Sequence, residues 1–225
     1  MKYAIISLVA LMIVLQACKK TGTTIYSVDA GLKTAFDYKP GSYWIYKDSL
    51  TGAIDSAYVT ANQQTFYLAG GCLLEPNEPK IELLSISLTV SDGNASDSEH
   101  WFFSMREKDF NIGFTNNNDK VESNVGFNLF TWPLAVSPAQ NGSGCVPGLD
   151  SGAVTDIIPE VSLNGQAYGN AARSAHKPLT GRDTSMVYND CFYVNQNAGI
   201  IKLVFDHPTT SVHRVLELQR YHIVR

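Results

Sequence analysis

The sequence lacks several patterns by which protein function is usually read. Its 17 Lys and Arg residues against 21 Asp and Glu give a formal net charge of −4, and no basic cluster interrupts that mild acidity. A nucleic-acid partner is therefore not expected, because binding to phosphates needs a positively charged face. The four cysteines show no CxxC spacing of the kind that zinc sites use. There is also no internal repeat and no low-complexity block, and the sequence points to no cofactor.

Helical periodicity is scarce as well. Eleven Tyr and ten Phe residues stand in the chain beside few Lys and Glu, a composition that favours strands. Short segments of alternating apolar residues recur at close spacing. These features predict an all-β domain built on a single antiparallel, strongly curved sheet, closed or partly closed into a barrel-like or sandwich-like shape.

The alternation also predicts individual elements, and Thr51-Gly52 and Asn164-Gly165 are expected to be hairpin turns. Ile81–Val90 is expected to be a long strand with a bulge, because Ile81 and Leu83 are out of phase with Leu84, Ile86, Leu88 and Val90. Pro133–Asp156 contains Pro and Gly and is expected to be a long loop, and a short helix is compatible with Asp29–Phe36. The remaining strands are predicted at Tyr43–Lys47, Ser56–Ala61, Gln64–Ala69, His100–Arg106, Asp109–Thr115, Phe127–Trp132, Val161–Leu163, Ala167–His176, Thr184–Tyr188, Phe192–Val194, Ile200–Phe205 and His213–Val224.

The first 18 residues, MKYAIISLVALMIVLQAC, have a layout of their own. Lys2 precedes an apolar run, which is the arrangement of a secretory signal peptide. As a helix, Ala4–Ala17 would span about 21 Å at roughly 1.5 Å per residue. That length is short of the roughly 30 Å hydrocarbon core of a bilayer, so a cleaved signal is favoured over a transmembrane anchor.

The end of this run, Leu15-Gln16-Ala17-Cys18, resembles the lipobox of bacterial lipoproteins. The resemblance implies cleavage before Cys18 and attachment of acyl chains to Cys18, so that the membrane becomes a partner of the protein. Each buried CH₂ of an acyl chain contributes about 0.8 kcal/mol to membrane binding. The expected organisation is a signal peptide over residues 1–17, a lipidated tether over residues 18–35 and one β-rich domain over residues 36–225.

The residues after the cysteine bear on its destination. Lys19 and Lys20 follow Cys18, and no acidic residue occurs before Asp29. In lipoproteins, an aspartate directly after the cysteine retains the protein in the inner membrane, and an acidic pair directs some proteins to the cell surface. The resemblance therefore implies an outer-membrane location on the periplasmic face.

Two further segments resemble a group of lipid-anchored bacterial proteins of unknown function. Gly41, Trp44 and Tyr46 match the "G-x-x-W-x-Y" start of their β-domains, and Ala198-Gly199-Ile200-Ile201-Lys202 is similar to their "vGiIk" segment. The resemblance covers the two ends of the domain and carries no catalytic residue.

Cys72, Cys145 and Cys191 remain after Cys18 is assigned to lipid attachment. An extracytoplasmic compartment permits disulfides, but three cysteines allow at most one intramolecular pair. Cys72 and Cys145 both lie beside glycine-rich turns, so a Cys72–Cys145 disulfide is the favoured pairing, with Cys191 as a buried apolar residue.

Catalytic and metal-binding patterns are weak. His100, His176, His207, His213 and His222 are scattered, and Asp206 with His207 and His213 forms a conceivable site. Ser143 lies outside a G-x-S-x-G elbow, and a triad of Ser143, His176 and Asp183 is not selected by any motif. The oxygen-rich segments Asp92–Glu99 and Asn116–Asp119 fail the EF-hand pattern and match ordinary hairpin loops.

The aromatic residues exceed what one buried face of a sheet needs. They form either a bulky core or the lining of a concave sheet that accepts an apolar ligand or a partner protein. The leading hypothesis is a non-enzymatic binding, carrier or assembly module of the envelope, and the alternative is an envelope hydrolase with a histidine-containing site. The aromatics concerned are Tyr43, Trp44, Tyr46, Phe102, Phe103, Phe110, Phe114, Phe127, Phe130 and Trp132.

Overall fold

The computed structural model describes residues 24–68, 79–91, 99–116, 125–136, 150–177, 190–207 and 212–225. Within these ranges the chain forms one short helix and twelve strands. In chain order they are β1 (Ile25–Tyr26), α1 (Ala30–Phe36), β2 (Tyr43–Asp48), β3 (Ile54–Leu68), β4 (Lys80–Ser91), β5 (Glu99–Arg106), β6 (Asp109–Asn116), β7 (Val125–Thr131), β8 (Asp150–Leu163), β9 (Gln166–Lys177), β10 (Cys191–Asn195), β11 (Gly199–His207) and β12 (Val212–His222).

All twelve strands belong to one sheet, which is nearly closed into a barrel. Its order is β1-β4-β3-β2-β12-β11-β10-β9-β8-β7-β6-β5, and a further pairing of β4 with β5 brings the two sides together. The pairings are antiparallel except for β1 with β4 and for the short contact between β7 and β8. The predicted all-β class and single curved antiparallel sheet are confirmed.

The first half of β3 forms the hairpin with β2 that the sequence predicts. Asp48 closes the turn, since its Oδ1 accepts a hydrogen bond from the Leu50 amide at 2.8 Å. The segments Ser56–Ala61 and Gln64–Ala69, predicted as two strands, belong to one strand through Leu68. A register shift between Val59 and Ala61 lets β3 continue along β4 after it leaves β2.

β4 corrects the predicted bulge. Glu82 is buried and lies in phase with Leu84, Ile86, Leu88 and Val90, so the inward alternation of this strand is unbroken. Ile81 and Leu83 lie on the other face. The irregularity belongs to the partner β3, where the pairing with β4 shifts between Val59 and Ala61.

The predicted Pro133–Asp156 loop is wrong at its C-terminal end. β8 begins at Asp150 and runs to Leu163, and it pairs with β9 through the predicted Asn164-Gly165 turn. A register shift between Val154 and Asp156 accommodates the irregular sequence that concealed this strand. Predicted strand Thr184–Tyr188 lies outside the described residues.

The short helix α1 closes one end of the barrel, which we call the α1 end. Asp29 caps it by accepting hydrogen bonds from the amides of Gly31 and Leu32. Phe36 is buried and its ring centroid lies 5.1 Å from that of Phe110 and 5.2 Å from that of Phe130. Leu32 and Ala35 are buried as well, so part of the stretch that the sequence assigned to a tether contributes to the folded core.

The barrel interior is filled by large aromatic side chains in contact with one another. The rings of Phe110 and Phe130 stack at 5.0 Å, and Tyr38 meets Trp44 edge-on at 4.7 Å. Of the aromatics singled out in the sequence whose side chains the structure describes, the buried ones are Trp44, Tyr46, Phe103, Phe110 and Phe130. Packing accounts for these five, which favours the core over the ligand-lining interpretation.

Candidate functional site

An open pocket of about 390 Å³ lies at the α1 end of the barrel. Four segments of the chain form its walls: the residues after β7, one position of β8, the first half of β9 and the turn between β10 and β11. The residues that line it are Trp132, Pro133, Leu134, Ile157, Gly169, Asn170, Asn195, Gln196 and Asn197.

The turn from β10 to β11 is held by one buried amide. The Asn195 side-chain oxygen accepts hydrogen bonds from the backbone amides of Asn197 at 2.9 Å and Ala198 at 3.0 Å. Its Nδ2 donates to the Gly169 carbonyl of β9 at 2.7 Å. Asn195 therefore joins two walls of the pocket, and its own hydrogen-bonding groups are occupied by the protein.

Arg225 supports the same turn from outside the pocket. Its guanidinium donates to the carbonyl of Asn197 at 3.4 Å and to that of Ala35, at the end of α1, at 3.3 Å. The backbone of the turn is thus tied to the helix, while the side chains of Gln196 and Asn197 are exposed. The pocket rim consequently carries amide groups on a well-supported backbone.

Trp132 forms the aromatic wall of the pocket. Its backbone amide donates to the Lys108 carbonyl at 2.7 Å, and its ring meets Phe36 edge-on at 6.0 Å. Its Nε1 lies so close to Gly31 that a Cβ at that position would come within 2.7 Å of it. The ring is therefore positioned by α1 as well as by its own strand, and it remains partly exposed.

The described residues that line the pocket are uncharged. Among the described residues of its walls there is no Asp, Glu, Lys, Arg or His. Trp132, Pro133 and Leu134 offer an apolar surface, whereas Asn170, Gln196 and Asn197 offer amide groups that both donate and accept hydrogen bonds. The arrangement suits a neutral ligand that has an apolar face and a polar edge.

Most cysteine positions singled out in the sequence lie outside the described residues. These are Cys18, Cys72 and Cys145, so the proposed lipidation and the Cys72–Cys145 disulfide stay predictions. Cys191 is a free, buried cysteine. Arg173 Nε donates to its sulfur at 3.2 Å, and the pKa of the thiol is raised because burial outweighs the effect of that cation.

Among the residues that the structure describes, the histidines do not form a catalytic cluster. His213 Nδ1 lies 3.4 Å from Asp206 Oδ1, but both side chains are well exposed at the sheet surface. His100 lies on β5, and the exposed His222 lies on β12. The structure does not describe the side chains of His176 and His207, and Ser143 and Asp183 lie outside the described residues. No group of three metal-ligating side chains occurs in the part of the chain that was described.

The oxygen-rich segments give no further site. Residues 92–98 and 117–119 fall outside the described ranges. In the portion covered by the structure, no helix combines the length and the apolar character needed to cross a membrane.

Comparison with known proteins returned no relative: no family model, no curated protein and no solved structure matches this chain.

Sequence reasoning missed the pocket. Asn195-Gln196-Asn197 occupies the short gap between two predicted strands, where amide residues are ordinary turn formers. Trp132 was singled out only as one aromatic among many. A local signal does exist in the three adjacent amides, but their proximity to Trp132 depends on strand pairing.

Proposed function

We propose that this protein is a lipid-anchored binding module of the cell envelope. Acyl chains on Cys18 would hold it on the periplasmic face of the outer membrane, and the pocket beside Trp132 would bind the ligand. The lipobox-like Leu15-Gln16-Ala17-Cys18 segment supports the anchor. The uncharged pocket with one aromatic wall is the observation that carries the binding role.

The ligand class follows from the lining. A charged ligand would find no counter-ion among the described residues of the walls. A wholly apolar ligand would desolvate the amides of Asn170, Gln196 and Asn197 without replacing their hydrogen bonds. A neutral saccharide satisfies both groups, because its C–H face covers an aromatic ring while its hydroxyls bond to amides. We therefore assign neutral saccharide units as the ligand class.

The anchor is tested with Cys18→Ala. Cells that express the wild-type chain or this variant are labelled with a clickable palmitate analogue and then fractionated. The wild-type protein should carry the label and sediment with outer membranes, whereas the variant should be unlabelled and free of the membrane. Cys72→Ala is the matched control and should behave like the wild type. Label on Cys18→Ala would refute the anchor.

The pocket is tested by titrating the protein with maltohexaose, cellohexaose and xylohexaose in a calorimeter. We expect at least one of them to bind, and the double variant Gln196→Ala/Asn197→Ala to bind it roughly thirtyfold more weakly, since each of the two lost hydrogen bonds contributes about 1 kcal/mol.

The control for this titration is Gln63→Ala, which removes an exposed amide from β3, away from the pocket. It should leave affinity unchanged. Absence of binding by all three oligosaccharides, or equal affinity of the double variant and the wild type, would contradict the saccharide assignment.

A further inference from the structure

Half of the large exposed hydrophobic side chains in the described structure lie together at the α1 end of the sheet. We name this group the rim surface; it consists of Ile25, Tyr26, Phe66, Tyr67 and Leu68. Their side chains are between 38% and 52% exposed, and they are five of the ten such residues found. Contiguous apolar exposure of this kind marks an interaction site more often than scattered single residues do.

Strand pairing makes the rim surface continuous. β4 lies between β1 and β3 here, so that Ile25 and Leu68 both pair with Lys80, and Tyr26 and Tyr67 both pair with Ile81. Residues that pair across strands share a face of the sheet. The rim surface therefore has exposed apolar side chains on both faces at this end of the sheet. A half-buried strand would expose them on neither face.

The charged neighbours of the rim surface carry both signs. Lys80 is exposed between Ile25 and Leu68. Arg106 donates to the hydroxyl of Tyr67 at 3.5 Å, and Asp109 lies 4.0 Å from Arg106. The nearby Glu82 is buried and forms an ion pair with Lys33, so its carboxylate does not contribute to the exposed surface.

The rim surface is also close in sequence to the proposed anchor. Ile25 lies only seven positions after Cys18. Even a fully extended chain would cover at most about 25 Å over that distance. If Cys18 carries acyl chains in a bilayer, β1 and its two neighbours are held within that distance of the lipid headgroups.

We propose that the rim surface inserts into the headgroup region of the bilayer to which Cys18 is anchored. This inference rests on the proposed lipid anchor. Tyr26 and Tyr67 have the ring-and-hydroxyl character that is enriched at membrane interfaces, Phe66 and Leu68 supply apolar area, and Lys80 faces anionic headgroups. The surface involves β1, β3 and β4, whereas the saccharide pocket involves β7 to β11, so the two do not compete for residues.

The test uses the full lipidated protein in vesicles of phosphatidylethanolamine and phosphatidylglycerol. The photoreactive residue p-benzoylphenylalanine is placed at position 66, and in a second protein at position 68. The control places it at position 54, because Ile54 is similarly exposed but lies at the other end of the same strand, about 46 Å away at roughly 3.3 Å per residue. After irradiation, mass spectrometry quantifies the adducts.

We expect lipid adducts at positions 66 and 68 in at least tenfold higher yield than at position 54. Equal yields at the two ends, or adducts at position 66 only with a second copy or with another protein, would overturn the proposal. The same spectra report the mass of Cys18. Absent acyl chains would refute the anchor itself, whereas acylated protein with equal yields would refute only the insertion of the rim surface.

Discussion

The hydroxyl of Tyr46 donates a hydrogen bond to the backbone carbonyl of Ile200 at 2.8 Å, across 154 positions of sequence. Two residues earlier on the same strand, Trp44 Nε1 donates to the Ala198 carbonyl at 2.7 Å. β2 and β11 are not neighbours, since β12 lies between them. These two buried side chains therefore cross the interior and fix the backbone at the start of β11. We call this pair of hydrogen bonds the clamp.

The two segments that carry the resemblance to lipid-anchored proteins are thus in contact. The aromatic residues of the first segment bond to the backbone of the second, which needs no particular side chains for that purpose. A structural role of this kind accounts for both segments without assigning them chemistry.

The clamp predicts opposite outcomes for two buried tyrosines. Tyr46→Phe leaves the Ile200 carbonyl without its donor and should lower the free energy of unfolding by about 1–3 kcal/mol. Tyr38→Phe should leave it unchanged or raise it, because Tyr38 Oη is buried with no hydrogen-bond partner among the described residues. Urea unfolding followed by tryptophan fluorescence measures both, and equal losses in the two variants would refute the clamp.

Gly199 predicts a second matched pair. It has φ +80°, and a Cβ there would come within 2.7 Å of Tyr38 Oη and 3.2 Å of Trp44 Nε1. Gly165 has φ +82° with nothing within 4 Å. Gly165→Ala should cost only the left-handed backbone penalty of about 1–2 kcal/mol, whereas Gly199→Ala should cost distinctly more. Thermal or urea unfolding distinguishes them, and similar losses would show that the close packing at Gly199 is unimportant.

Glu82 predicts a pH dependence. Burial by itself raises the pKa of this carboxyl, but hydrogen bonds from Lys33 Nζ, the Val28 amide and Gln64, together with the Lys33 charge, bring it below the ordinary value of 4.5. A lowered pKa in the folded protein means that the ionised group stabilises the fold above pH 4.5, and that this stabilisation is lost as the pH falls.

The variant Glu82→Gln should therefore be less stable than the wild type at pH 7, by about 1–3 kcal/mol, and the difference should shrink in urea titrations at pH 3.5. Glu217→Gln removes the partly exposed partner of Lys202 and should cost less than 1 kcal/mol. A loss for Glu82→Gln that is independent of pH would contradict the ionised state inferred for this group.

Cys191 predicts a difference in thiol reactivity. Its burial, which raises the pKa of the thiol, should protect it from iodoacetamide at pH 8 in the folded protein. The same treatment in urea should modify it fully. Peptide mapping without reduction reports Cys191 and also tests the predicted Cys72–Cys145 disulfide. Rapid modification of Cys191 in the folded protein would show that the site is open.

Much of the fold follows from local patterns in the sequence. Phe110 and Ile112 alternate with the polar residues Asp109 and Asn111 on β6, so the inward side of that strand can be predicted without knowledge of its partners. On β4, the out-of-phase Ile81 and Leu83 led to the wrong prediction of a bulge, because Glu82 between them was not expected to face inward. A carboxylate is expected to face water unless a partner is known, and its partner Lys33 lies 49 positions away.

The candidate site could not be predicted in the same way. The pocket needs Trp132 beside the Asn195–Asn197 turn, and Asn195 bonded to Gly169 on a third segment. None of these contacts leaves a trace in the periodicity of its own strand. The rim surface is similar, since Tyr26 and Tyr67 become neighbours only because both pair with Ile81.

Alternation and turn chemistry act between near neighbours. The β class, the hairpins at Thr51-Gly52 and Asn164-Gly165, and the inward faces of most strands could therefore be predicted from local sequence. The tertiary structure alone decided that Glu82 is buried, that Tyr46 bonds to Ile200 and that Trp132 borders a pocket of amides. Those features depend on strand order and register around a nearly closed sheet, where residues separated by tens to more than a hundred positions are brought into contact.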